Sequence, residues 1–504
     1  MAAAMPTSYF VTSLSQILMG ANWLLEGNYR EKLSRFLKSR AALMICSIYL
    51  VMVLGLIWSE DLAQGAGKEL IDRLPMLTLT FLVVSSRPLP KLQIKLLAYI
   101  FFASVLVTSL IGIVFWITGT IDSFRKISPF VSHIYFSMMV VMTIFSLPWL
   151  TAKVFCSRKY LYAALLISAW LVVFLFILRS LTGLLCFAGV FLFLLGWMVY
   201  KAKQRWIKTA ALGLFVLSLF LGAATFGWMY NHVSKRIIPE EGSLTEKTSL
   251  GNTYTHYYHH PERENGHYVY YFVEENEVRE HWNRISDLDF DGEDLLGNEL
   301  KITLFRFLSS RGLRKDAEGI GQLEMEEILA IEKGIPNYLY TQWPGFIVRL
   351  HQTAWELYWY RTKGNPSGHT FTQRLELWKG SWEAFKKKPW IGWGTGDIFI
   401  AVDYGLHKIE SMMENYHMKP HNQYLIFLLT LGLTGTLLIF TLYGMVIWHT
   451  GAWKLLPFNF FLVIIAISMI ANHPIDAQTG QSFFIFFTLY YGFLYPRLSS
   501  DTSL

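Results

Sequence analysis

Long uninterrupted apolar runs constrain this chain more than any other feature. They fall near residues 8–26, 41–59, 72–86, 96–118, 134–150, 160–178, 180–199, 209–230, 422–447, 457–472 and 481–496. A helix needs ~20 such residues to cross the hydrocarbon layer. Each run is a candidate membrane-spanning helix. The run at 72–86 is the weakest, being short and opening on Asp72 and Arg73. With 53% hydrophobic and 16% aromatic residues among 504, a soluble fold is excluded. The expected class is all-α: a polytopic integral membrane helical bundle of about 11–12 transmembrane helices.

The loops set an orientation. Arg30, Lys32, Arg35, Lys38 and Arg40 follow the first run, and Arg87, Lys91 and Lys95 the third. Lys153, Arg158 and Lys159 follow the fifth, and Lys201, Lys203, Arg205 and Lys208 the seventh. The alternation marks these loops as cytoplasmic. It also accounts for the net charge of +7 without nucleic acid, since no basic patch is interleaved with exposed aromatics. The opposite loops are short or acidic, with Glu60, Asp61 and Asp476. The scheme leaves the N-terminus outside, with no cleavable signal peptide read there. A further helix ahead of the first run would remove that oddity. Cys46, Cys156 and Cys186 lie in or beside apolar runs, which argues against a disulfide framework or a cysteine metal site.

Three regions follow: 1–230 with the N-terminal transmembrane helices, 231–420 as a large extracytoplasmic loop domain, and 421–504 with the C-terminal ones. Helical spacing at Met325, Ile328 and Leu329, and at Ile347, Leu350, Ala354, Leu357 and Tyr358, makes the loop domain mostly helical. Asp287–Leu300 reads as a turn-rich connector.

Several polar clusters carry two readings. His232, His256, His259, His260, His267 and His281 include an i,i+4 pair, His256 and His260, that would suit zinc on a helix. Thr253, Tyr254, Tyr257 and Tyr258 favour strand or loop instead, which makes these packing or surface residues, with no metal. Lys386, Lys387 and Lys388 read as a helix end, where cations suit the dipole; attraction to anionic headgroups or a phosphate is the alternative. Gly392, Gly394 and Gly396 lack the pattern of a nucleotide loop and read as a tight turn.

The stretch from His369 to Gly435 carries the chemistry. Arg374 and Trp378 share one amphipathic helix, which Pro389 and the glycines end. His421 and Asn422 sit where the polar chain meets the run beginning near Tyr424. Arg179 lies between two runs otherwise free of charge, a candidate by position, with a snorkelling hairpin arginine as the alternative. Arg236 opens the polar segment. Arg179, Arg236, Arg374 and His421 can all meet at one membrane mouth. Guanidiniums suit a pyrophosphate because the planar fork matches its oxygens, and an imidazole suits proton transfer.

These residues resemble the O-antigen ligase and polymerase superfamily of membrane glycosyltransferases. The ligase pattern is His, then Asn, Ser or Gln, nine residues, Gly, two residues, and Gly, Thr or Tyr. It is met by His421-Asn422, Gly432 and Gly435. Arg374 and Trp378 followed by Pro389, Gly392 and Gly394 resemble the family's Arg…Trp…Pro-x-x-Gly-x-Gly block. The hairpin arginine, usually Ser-Arg, here reads Arg179-Ser180. Asn22–Gly27, Glu262–His267 and Arg314–Asp316 extend the resemblance, and the polar segment is longer than usual.

The resemblance implies a GT-C-like fold in the bacterial inner membrane with its site facing the periplasm. It implies an undecaprenyl-pyrophosphate-linked glycan as donor and lipid A–core or another glycan as acceptor, in contact with membrane lipid. The transfer would be metal-independent, inverting and free of cofactors. Arg374, Arg236 and Arg179 would bind the pyrophosphate, His421 would deprotonate the acceptor, and Asn422 would orient the acceptor or His421. The ligase pattern favours an O-antigen ligase in lipopolysaccharide biosynthesis. A polysaccharide polymerase and a protein O-oligosaccharyltransferase share these residues. A transporter would place its charges and broken helices near the bilayer midplane, whereas here the charges gather at one mouth.

Overall fold

A computed structural model describes residues 1–496 except 122–123, 156, 241–242, 245 and 414–415. Cys156 therefore lies outside the described residues, while Cys46 and Cys186 are buried free thiols. The described chain is all-α apart from one hairpin of two-residue strands. By its contacts it divides into Met1–Phe215 with Pro366–Leu504, and Val216–Asn365.

Every expected apolar run forms a helix. Lys91–Ile117, His133–Val154, Arg158–Ile177, Leu181–Lys201, Arg205–Ser234 and Gln423–Thr450 are long and apolar enough to cross a membrane. Tyr29–Lys38 and Arg40–Leu54, bent by 85°, make a seventh span if taken together. Tyr9–Leu25, Leu70–Ser85, Leu456–Ala471 and Gln478–Leu489 are shorter, at 17, 16, 16 and 12 residues. A 16-residue helix rises about 24 Å, less than the ~30 Å hydrocarbon thickness. Among the described residues six helices, or seven with the bent pair, are of full spanning length, where the eleven runs predict a span each. His133–Val154 is the innermost helix, with Phe136, Met138, Met139, Val140, Val141 and Met142 fully buried. Close helix approach relies on small residues: a Cβ on Gly189 would stand 2.1 Å from Ile467, and one on Gly183 2.4 Å from Ser137.

The helix Gln423–Thr450 is broken at Gly432, whose φ and ψ of 64° and −171° belong to a region that only glycine enters cheaply. The break parts two rungs of the i→i−4 ladder, leaving the carbonyls of Leu429 and Thr430 and the amides of Leu433 and Thr434. The turn after the helix Thr370–Lys387 takes up all four. Trp393 N–H donates to Leu429 O at 2.7 Å and Gly394 N–H to Thr430 O at 3.0 Å. Leu433 N–H donates to Pro389 O at 2.8 Å and Thr434 N–H to Trp390 O at 3.1 Å. Gly392 and Gly432 meet where the segments cross; a Cβ on Gly432 would lie 2.3 Å from Trp390 O. The glycine-rich turn and the second glycine pattern are thus one device, completing the hydrogen bonding of a broken helix. Gly432→Ala should lower the thermal unfolding temperature of the detergent-purified protein, the strain alone being about 1–3 kcal/mol. An unchanged unfolding temperature would contradict the crossing.

In the second unit Trp282, Phe290, Phe305 and Phe307 anchor a separate apolar core. The expected helices appear as Met325–Glu332 and Gly345–Lys363, and the connector lies between Glu275–Ile285 and Leu300–Arg311. The stretch from 246 to 274 is strand and loop, as Thr253, Tyr254, Tyr257 and Tyr258 favour. It holds turns and the antiparallel hairpin Arg263–Glu264 and His267–Tyr268, closed by Asn265 and Gly266 at φ 50° and 97°, a pairing suited to a two-residue turn. Buried Glu264 accepts from Arg306 at 2.8 Å and Asn337 at 2.8 Å, and Lys315 donates to the carbonyls of Tyr268 and Tyr271.

Candidate active site

In the first unit, element ends bring charged and imidazole groups together. The helix Thr370–Lys387 carries Arg374 and, one turn on, Trp378, whose indole N–H donates to Pro420 O at 2.8 Å. That bond fixes the chain just before His421. Asn422 accepts from Leu425 N–H at 3.1 Å and caps the broken helix. Its side chain is committed to the backbone that carries His421. Between these anchors His421 adopts φ 49°, uncommon for a residue with a Cβ and held only where the surroundings over-determine it.

The His421 ring lies 5.0 Å from that of His473, centroid to centroid. Burial, followed by the charges of His473, Arg374 and Lys419, pushes the His421 imidazole down to about 4. Arg374 acts on His473 too, so its guanidinium is within electrostatic reach of both rings. Burial is also the main reason His473 is pushed down to about 4, Asp476 opposing the shift.

Beneath the rings lies an ion network. Arg73 grips Asp476 through Nε at 3.0 Å and Nη2 at 2.7 Å, and pairs with Glu69 at 3.1 Å. Lys419 pairs with Glu69 at 2.7 Å and lies 3.7 Å from Asp476 Oδ2. Gln423 donates to Asp476 at 3.0 Å and accepts from Ile475 N–H at 3.0 Å. Burial alone would raise the Asp476 carboxyl; Arg73, Lys419 and His473 outweigh it and bring it down to about 2. A buried carboxylate held by two cations and an amide stays ionised.

Glu69, Lys419 and His473 are not among the sequence-predicted site residues, and Arg73 and Asp476 enter the sequence analysis only as marks of spans and loops. The available signal was positional. Arg73 opens an apolar run, and Asp476 is the lone acid between two others.

The remaining expected residues are placed as follows. Arg179 lies half-buried in the turn between Arg158–Ile177 and Leu181–Lys201, at φ 51°, its charged form disfavoured by burial. Ser180 beside it caps Leu181–Lys201 and lies 3.1 Å from Ser137. Arg236 belongs to the second unit, over the Tyr268 ring at 5.8 Å. Lys386 pairs with Glu383 at 2.7 Å, while Lys387 lies over Tyr404 and Lys388 over Trp393, the accommodation of a helix end.

The histidines of the second unit are packing or surface residues. His256 and His260 are not on a helix, and His256 spends both ring nitrogens on the backbone, at Leu244 O and Phe272 N–H. His281 bonds Glu277 O, and His232 stacks on Trp228. Among the described residues no group of three or more His, Cys, Asp or Glu is arranged to hold a metal ion.

Residues 334–440 match the model of a family described as O-antigen ligase. The match spans Arg374, the glycine turn, His421 and the break at Gly432. Neither a curated relative nor a solved structure matches the chain.

Proposed function

We propose that this chain, which carries an O-antigen ligase family domain over residues 334–440, transfers a glycan from an undecaprenyl-pyrophosphate carrier to an acceptor hydroxyl. The proposed site faces the periplasm from the bacterial inner membrane, and lipid A–core is the acceptor that the ligase pattern favours. The observation that carries the reading is a largely buried imidazole, uncharged at neutral pH, within the field of a guanidinium at the start of an apolar helix.

Each group has a task. The Arg374 guanidinium binds the diphosphate and stabilises the charge that grows on it as the sugar–oxygen bond breaks, an interaction stronger in the transition state than before it. Arg179 supports that binding in the same unit. His421 accepts the proton of the acceptor hydroxyl. Asn422 acts through the backbone, setting the direction of His421. Diphosphate is already a good leaving group, so the chemistry asks for cations and a base rather than a Lewis acid. Attack opposite the departing diphosphate inverts the anomeric centre.

The test is reconstitution in vesicles with an undecaprenyl-pyrophosphate glycan and, separately, lipid A–core, a lipid-linked repeat unit and a serine-containing peptide, each with and without EDTA. Transfer to lipid A–core, unchanged by EDTA, is expected. Transfer to the repeat unit alone would make the enzyme a polymerase, and transfer to the peptide alone a protein glycosyltransferase. Inhibition by EDTA would overturn metal independence.

A further inference from the structure

We infer that His473 is the positioning partner of His421, taking over the proton that His421 removes from the acceptor. The inference rests on the glycosyl-transfer reading above and adds a residue and a proton path to it.

The geometry comes first. The two rings are neighbours at 5.0 Å, tilted by 41°. His473 Nδ1 is buried and has no hydrogen-bond partner among the described residues. A buried polar atom without a hydrogen bond costs free energy. Asp476 Oδ2, one turn further on, likewise lacks a hydrogen bond. The short helix Pro474–Asp476 folds the chain back, Asp476 N–H donating to His473 O at 3.1 Å, which keeps carboxylate and imidazole together.

The charges give the path a direction. His421 faces Arg374 and Lys419, both cations, and the neighbouring ring. An imidazolium formed there sits among like charges. His473 faces Arg73, Arg374 and Lys419 as well, but it also faces Asp476, whose charge favours the protonated ring. Of the two imidazoles, only His473 has a carboxylate among the charges that act on it. A base that hands its proton on need not itself stay charged.

The step balances. The bond between the anomeric carbon and the diphosphate oxygen breaks, its electron pair leaving with the diphosphate. The acceptor oxygen bonds to that carbon, its proton passes to His421, and a proton passes from His421 to His473. The proton returns to solvent when the diphosphate product leaves.

The test compares His473→Gln, which keeps size and polarity without a basic ring, with His473→Ala. In the reconstituted full-length enzyme, kcat should fall roughly 10- to 100-fold in both, with KM for the lipid-linked donor unchanged. Added imidazole should restore activity to His473→Ala, more so with more basic imidazoles, and do nothing for His473→Gln. A structural role would move KM or the unfolding temperature and would not respond to the basicity of the added imidazole. Wild-type kcat in His473→Gln, with His421→Ala inactive, would overturn the partner role and leave the glycosyl-transfer reading standing. A wild-type enzyme inactive with every lipid-diphosphate donor would remove both.

Discussion

His421→Ala is expected to reduce glycan transfer by roughly 10²- to 10⁴-fold while the protein reaches the membrane at its normal level. The ring is held by its surroundings rather than holding them. Trp378 fixes the preceding carbonyl, Asn422 caps the following helix, and the left-handed φ belongs to the backbone. Removing the imidazole leaves those bonds in place. The pH dependence follows from the environment. Activity requires the neutral ring, and burial with nearby cations puts its ionisation at about 4. As pH falls from neutrality, kcat/KM should stay level through the range near 6.5 where an ordinary imidazole would charge, and drop only as pH nears about 4. An acid limb near 6.5 would place the base in solvent. Normal transfer by His421→Ala would remove it from the reaction.

How much of this was legible in the sequence depends on how far apart the interacting residues lie. Each apolar run is a local signal, and each became a helix, because in hydrocarbon a backbone has few other ways to satisfy itself. The order His421-Asn422 followed by Gly432 is local too, and it marks the start and the break of one helix. What was not legible joins distant segments. Arg73 and Asp476 are 403 positions apart, and no periodicity connects them. The glycine turn looked like a turn and nothing more, since its partners are four backbone groups that a break some forty residues later sets free. The histidines were legible from their neighbours. Their spacing suited a zinc pair only on a helix, and the tyrosines and threonines around them form none.

Arg73→Met should be among the most destabilising single substitutions in the molecule, by about 3–5 kcal/mol. Arg73, Asp476 and Glu69 are 2%, 5% and 1% exposed. Two cations, Arg73 and Lys419, answer two carboxylates, Asp476 and Glu69. Losing Arg73 leaves a buried carboxylate with Lys419 shared between two claims, and water cannot reach in to compensate. The double variant Arg73→Met/Asp476→Leu removes one charge of each sign and leaves Glu69 paired with Lys419 at 2.7 Å. It should therefore recover most of the lost thermal stability of the detergent-purified protein, since an apolar pair of similar volume commonly replaces a buried ion pair at little cost. Activity should not return with stability, because Asp476 is the carboxylate that faces His473. That separation tells what the network is for. A double variant that regained both fold and transfer would make these charges a matter of packing alone, whereas one that folds without catalysing ties them to the imidazole pair above.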